Sequence, residues 1–256
     1  MVGVLSLYGP LGLLEEGRDL AAYFREAEDA REASRALLAS GVRAELVTDI
    51  PEGDPFETLR VASRPFPVGR RLWIDPGDPS DSQPPSGRIA LRLPASRAFG
   101  TGEHESTRLL LEALEEESLG GLAVLDVGTG SGVLALAAVA LGAETAVAFD
   151  TDPEAIFVAR QNLRRHPFGG RVRLLAANVE AIGCHFGLVL ANLLPEEFLP
   201  ERSSVLSRVA ARGRLLLSGI PRAREAELLK RLRAKRWRLA SRRVATEWSC
   251  LCLERT

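Results

Sequence analysis

Glycine occupies alternate positions at Gly128, Gly130 and Gly132, directly after the apolar run "LAVLDV" and at the head of "SGVLALAAVALG". That spacing suits a strand turning tightly into a helix, with a ligand lying against bare backbone at the helix N-terminus. A nicotinamide or flavin dinucleotide would ask for glycine at position 133, which is Val133. Nor does the Gly-Lys-Ser/Thr of a nucleoside triphosphatase follow. Twenty residues beyond Gly130 a second apolar run ends in Asp150, whose two oxygens can accept from both hydroxyls of a ribose. An adenosine ligand without a pyrophosphate fits this pair.

A second stretch, "AFGTGEHEST" over 98–107, sets an acid-histidine-acid run between a glycine pair and two hydroxyls. Three adjacent side chains rarely converge on one ion, and the remaining histidines, His166 and His185, form no second cluster, so no metal is expected. His104 reads as a structural or orienting residue at the start of the helix "ESTRLLLEALEEE". The three cysteines, Cys184, Cys250 and Cys252, cannot complete a disulfide set and read as reduced packing residues.

The elements that must hold these residues alternate regularly from Leu122 onward. Strands are expected over 122–127, 144–150, 171–177, 185–193 and 213–220, with helices between them, one of them capped by Asp152 with Pro153 at its first position. Such alternation implies a mostly parallel, doubly wound sheet with right-handed crossovers. The closing segment "WRLASRRVATEWSCLCLER" alternates in two runs and suits an antiparallel hairpin. Upstream, "RLWI" and "RIALRL" read as strands around an exposed loop rich in Pro, Gly, Ser and Asp, and "AEDAREASRALLAS" reads as a helix.

At 256 residues and 46% hydrophobic content the chain can bury one large core and a small second one. A net charge of -1 gives no general reason to expect DNA or an anionic membrane. Neither the longest apolar run nor the N-terminus reads as a membrane span or secretory signal, so a cytoplasmic address is expected, and the chain is taken as a monomer. Residues 222–243 carry ten basic and two acidic side chains, which read as the solvated face of a helix running into an edge strand.

An acid ahead of Gly-x-Gly-x-Gly, an acid ending the second strand and an antiparallel strand near the end together resemble class I S-adenosylmethionine-dependent methyltransferases. More narrowly, "AFGTGEHESTRLLLEAL", "LDVGTGSGVLALAA" and "LVLANLL" are similar to the PrmA family, which methylates ribosomal large-subunit protein eleven on amino groups. The resemblance covers roughly residues 63 to 256. It implies a seven-stranded α/β sheet with an antiparallel last strand and a small N-terminal α+β domain. Residues 1–50 would be that substrate-recognition domain in shortened form, 51–62 a linker, with Pro55 where the family has tryptophan, and 63–256 the catalytic domain.

The resemblance also assigns residues. Phe99 and Gly100 would help enclose S-adenosylmethionine, and Thr107 would reach it or the incoming amine, with Ser106 standing where the family usually has threonine. Asn192, in "ANLL", takes the place of the asparagine in the Asn-Pro-Pro-Tyr of many amine methyltransferases. Its side-chain carbonyl can accept an amine hydrogen and so aim the nitrogen lone pair for in-line displacement. Adenine would lie near Asn178 and Val179, while Asp126 and Thr129 would support the glycine loop and the methionine end of the cofactor. The expected activity is methylation of lysine or N-terminal amines of ribosomal large-subunit protein eleven. Alternatives are another protein lysine, a small-molecule amine, or a non-catalytic adenosine-ligand or RNA-associating role.

Overall fold

Two short runs near the N-terminus pair as antiparallel strands, β1 (Gly12–Glu16) and β2 (Asp19–Tyr23), and α1 (Ala27–Ala39) follows them. The computed structural model describes residues 12–16, 19–24, 27–39, 41–44, 64–76, 83–93, 102–232 and 236–256. It divides into two units, Met1–Leu59 and Arg60–Thr256. In the first, Ala33 and Leu37 sit one helical turn apart and are buried with Ala22, Phe24, Val42 and Ala44 packed against them. The expected linker, 51–62, lies outside the described residues.

The second unit opens with a small sheet of β3 (Phe66–Val68), β4 (Leu72–Asp75) and β5 (Ile89–Arg92), β4 pairing antiparallel to β3 and parallel to β5. Its β3–β4 turn is held by the carboxylate of Glu115, which accepts the amides of Arg70, Arg71 and Leu72 at 2.7, 2.9 and 3.0 Å. His166 anchors β5, its Nε2 lying 3.2 Å from the amide nitrogen of Arg92. Val68, Leu72, Ile74 and Leu91 share one apolar core with the helices α2 (Glu105–Leu114) and α3 (Val133–Leu141).

Seven strands make the main sheet: β6 (Ala123–Val127), β7 (Thr145–Asp150), β8 (Val172–Ala176), β9 (Phe186–Asn192), β10 (Val209–Pro221), β11 (Trp237–Val244) and β12 (Trp248–Arg255). Their order is β11-β12-β10-β9-β6-β7-β8, and every pairing from β10 to β8 is parallel, whereas β12 runs antiparallel to both neighbours. This is the doubly wound sheet with an antiparallel final strand that the sequence implies.

Two-residue alternation sends successive side chains to opposite faces. Leu188, Leu190, Leu216, Cys250 and Cys252 join α2 and α3 on one face, while Val189, Ala191, Leu215, Leu217, Leu251 and Leu253 join Phe198 and Val205 of α5 (Pro195–Ser207) and Leu228 of α6 (Arg222–Leu232) on the other. Each fully buried leucine contributes about 1.5–3 kcal/mol. The remaining helix, α4 (Pro153–Arg164), packs beside β7 and β8 and starts on the Asp152 side chain, which accepts the Glu154 amide at 2.8 Å.

The chain steps from β6 outward to β7 and β8, then returns to β9 on the other flank of β6. Order therefore reverses between β6 and β9, and ligands of open α/β sheets bind outside the carboxyl ends of the strands at such a point. Gly128 follows β6 there, and Asn192 ends β9.

One strand is longer than its sequence pattern suggests. The segment "VAARG" continues the apolar spacing of α5, yet Val209 already pairs with Phe186, and the register shifts before Arg214 meets Leu188. Arg212 takes a left-handed φ of 60° in this bulge, which breaks the alternation that would have announced a strand. The basic run of 222–243 is matched by acids: Arg224 pairs with Glu196, Arg231 with Glu227, Arg238 with Glu254, Arg242 with Glu225, and Arg243 with Glu116. Among the described residues no helix is long and apolar enough to cross a membrane.

Gly219, near the end of β10, has φ of 78°, and a Cβ there would lie 2.5 Å from the carbonyl oxygen of Leu193. Neither the backbone strain nor the clash can be relieved by a rotamer change. Gly219→Ala should lower stability by about 3 kcal/mol, measured as a shift in the urea midpoint at unchanged slope. An unshifted midpoint would show that this junction is not as tightly built as its geometry.

Candidate active site

The glycine loop is built by its own hydrogen bonds. Gly128, Gly130 and Gly132 have φ of 66, 53 and 83°, which only glycine adopts without strain. A Cβ on Gly128 would lie 2.8 Å from the Leu193 side chain, and one on Gly132 would lie 3.2 Å from the Cβ of Ala159. The loop thus sits tightly between the β9 exit and α4. Its amides are largely engaged inside the protein: Thr129 donates to the Phe149 carbonyl, Gly130 to Asp150 Oδ2 at 3.0 Å, and Gly132 to the Thr129 carbonyl. From α4, the buried Asn162 donates to the Ser131 carbonyl at 2.9 Å, a support the sequence reading did not single out.

Asp150 binds the loop through Oδ2 and accepts the Asp152 amide through Oδ1 at 3.0 Å. Each oxygen keeps a second lone pair. Asp126, fully buried in β6, accepts from the Thr129 hydroxyl at 2.6 Å and the Ala135 amide at 3.2 Å, both through Oδ2. Its Oδ1 is buried with no partner. Burial drives the carboxyl up to about 7 against those two hydrogen bonds, and the nearby Asp150 adds to the rise.

That shift carries a testable sign. From the ordinary 3.8 up to about 7 the folded chain keeps a proton that the unfolded chain has released. The stability it contributes is complete below 3.8 and is lost as pH rises through about 7. The wild type should therefore lose up to about 1.4 kcal/mol per pH unit across this window relative to Asp126→Asn. Denaturant titrations at several pH values compare the two, and parallel curves would mean that Asp126 is ionised throughout.

On the adjacent strand, Asn192 is partly buried and its Nδ2 donates to the Thr107 hydroxyl of α2 at 3.0 Å. Its Oδ1 is buried and without a partner. The carboxamide is therefore oriented by one end while its acceptor is buried without a partner. His104 caps α2: its Nδ1 receives the Ser106 amide at 3.3 Å and lies 2.7 Å from the Ser106 hydroxyl, and its ring meets Trp248 edge-on at 4.8 Å. Glu105 reaches the β11–β12 turn, accepting the amides of Thr246 and Glu247 at 3.2 Å each.

Asn178 precedes the short turn Val179–Ala181 with its side chain unused as a cap, its carbonyl accepts the Ala181 amide, and the Val179 side chain is buried in the core. Phe99 and Gly100 lie outside the described residues. The structure brings Asp126, Thr129, Gly130, Gly132 and Asp150 into one hydrogen-bonded unit, and Asn192 and Thr107 into another. Together they comprise the Asp150 carboxyl group, the unpartnered Asn192 Oδ1 and a loop whose amides are mostly spent. Such a site suits a donor-rich or cationic ligand better than a phosphate.

The family model described as "Ribosomal protein L11 methyltransferase (PrmA)" matches residues 9–256. The chain belongs to the PrmA family. Among relatives of this PrmA chain, a ribosomal protein L11 methyltransferase of Geobacter metallireducens is 40% identical over 206 residues, covering 80% of the chain and 67% of the relative. One from Pelobacter propionicus is 42% identical over 188 residues, covering 70% and 60%. These matches thus span about two thirds of the relatives' length. A crystal structure of a ribosomal protein L11 methylase from Lactobacillus delbrueckii subsp. bulgaricus superposes with a TM-score of 0.69 at 29% identity, over 75% of this chain and 99% of that one.

Proposed function

We propose that this PrmA chain binds S-adenosylmethionine and methylates lysine or N-terminal amines of ribosomal protein L11. The observation that carries the reading is the oriented carboxamide of Asn192, whose Nδ2 is engaged by Thr107 and whose Oδ1 is buried without a partner. It sits at the end of β9, beside a loop suited to an adenosine-bearing cation. Relatives at 40% and 42% identity are named as methyltransferases of this ribosomal protein, which supports the acceptor.

In this reading Asp150 would hold the ribose hydroxyls, the backbone at Asn178 and Val179 the adenine, and Asp126 with Thr129 the loop at the methionine end. Gly128, Gly130 and Gly132 give the loop the left-handed turns it needs, and Phe99 and Gly100 would enclose the ligand. When bound, S-adenosylmethionine supplies an electrophilic methyl group on a sulfonium.

A lysine amine, with an ordinary pKa of about 10.4, must lose its proton before its lone pair can attack. Desolvation in a closed site favours the neutral amine. Asn192 Oδ1 then accepts one amine hydrogen, and because Thr107 fixes the carboxamide, that bond fixes where the lone pair points. An amide acceptor imposes this orientation without a charge that would hold the amine protonated. The nitrogen leaves the site one methyl heavier, and its surplus proton passes to solvent.

Intact-mass spectrometry of purified ribosomal protein L11, incubated with this protein and S-adenosylmethionine, tests the reading. Mass additions in steps of one methyl group are expected. An unchanged mass, with cofactor binding still visible by calorimetry, would leave the methyltransferase site standing and remove ribosomal protein L11 as acceptor.

A further inference from the structure

Ser218 belongs to neither the cofactor loop nor the Asn192–Thr107 pair, yet it is fully buried at the carboxyl end of β10, directly opposite Asn192 in the parallel ladder. Its hydroxyl donates to the main-chain carbonyl of Ser106 at 2.8 Å, across 112 residues of sequence. Its own carbonyl accepts the Leu193 amide at 3.2 Å. Ser106 and Thr107 are themselves 1% and 0% exposed, so the contact lies in the interior.

These contacts close a ring. From Asn192 the path crosses the ladder to Ser218, passes through its hydroxyl to the Ser106 carbonyl and along one peptide bond to Thr107. From the Thr107 hydroxyl it returns to Asn192 Nδ2. We infer that Ser218 is a positioning residue for methyl transfer: it fixes the first turn of α2 against β10 and thereby sets where Thr107 holds the Asn192 carboxamide. This rests on the reading of Asn192 as the group that orients the acceptor amine.

The geometry favours positioning over mere cohesion. The Ser106 carbonyl belongs to the first turn of a helix, where the backbone amide four residues on can bond to it. The serine hydroxyl is then a further donor, and what it adds is a fixed distance between helix and sheet. The other acceptors in reach of the Ser218 hydroxyl are weaker: the Ser249 carbonyl is 3.5 Å away, and the Cys250 sulfur is a poor acceptor. Without the hydroxyl the first turn of α2 loses its tie to β10 and keeps the Glu105 and His104 contacts to the β11–β12 hairpin, and a displacement of an ångström at a reacting group costs rate steeply.

The test compares wild type, Ser218→Ala, Thr107→Ala and the double variant. In the cofactor-free protein, the Asn192 side-chain amide is followed by nitrogen-15 nuclear magnetic resonance, assigned by its loss in Asn192→Ala. Ser218→Ala should move that signal toward its position in Thr107→Ala. In transfer assays Ser218→Ala should lower kcat about tenfold with KM for S-adenosylmethionine unchanged, and it should lower kcat no further in the Thr107→Ala background. Ser218→Cys, close in volume and a far weaker donor, should fall between wild type and alanine, and it serves if alanine proves unstable.

An Asn192 amide signal unmoved in both Ser218 variants overturns the inference, as does a kcat loss that simply adds to that of Thr107→Ala. If wild-type protein transfers no methyl group to ribosomal protein L11, the proposed acceptor fails, while the amide signal still decides the ring.

Discussion

Asn192→Ala should slow methyl transfer by about 100-fold or more while leaving S-adenosylmethionine affinity close to that of wild type. The carboxamide lies at the β6–β9 switch point with one end fixed by the protein and the other end buried without a partner. A free buried acceptor costs stability unless a ligand completes it. Removing it therefore should not harm the fold. What is lost is the bond that aims the amine, so the effect should appear in kcat more than in cofactor binding. Asn192→Asp keeps the shape but places a charge beside the amine, which favours the protonated, unreactive form, so it should not restore the rate. Stopped or quenched single-turnover assays with calorimetry of the cofactor separate the two quantities. Undiminished turnover in Asn192→Ala would remove the residue from the chemistry.

The parts of this site that sequence reveals are those made by neighbours along the chain. Alternate glycines with a strand before and a helix after leave few other conformations, and all three take the left-handed region in the structure. Asp150 is legible for the same reason, since a strand of fixed length carries it back to the loop and its bond to Gly130 follows. Asp152 and Pro153 announce a helix start because capping is a contact of two or three residues. The rest depends on contacts that no local pattern encodes. Thr107 meets Asn192 across 85 residues and Ser218 meets Ser106 across 112, and serine or threonine at a strand or helix end looks like any other. Glu105 sits in an acid-histidine-acid run that resembles a metal ligand set, but its carboxylate holds the turn at Thr246 and Glu247, 141 residues away. The start of β10 was hidden because a bulge at Arg212 interrupts the very alternation by which strands are read.

Asp150→Ala should weaken S-adenosylmethionine binding by about 100-fold, through two losses that can be told apart. The first is direct: a carboxylate accepting two ribose hydroxyls makes charge-assisted bonds, each worth about 1.5–3 kcal/mol. The second runs through the loop, because Oδ2 also holds the Gly130 amide at 3.0 Å and Oδ1 the amide of Asp152 at 3.0 Å. Without those anchors the turn and the start of α4 are less ordered before the ligand arrives, and binding must supply that order. Asp150→Asn discriminates between them. Its side-chain oxygen can keep one amide bond, whereas its NH2 end can only donate, so it should recover part of the loop and little of the ribose recognition. The expected order of affinity is wild type, then asparagine, then alanine. Calorimetry of the cofactor against adenosine alone should show the same order, because the ribose is common to both. A full recovery by asparagine would assign the whole effect to the loop, and intact binding in the alanine variant would mean that the ribose is held elsewhere.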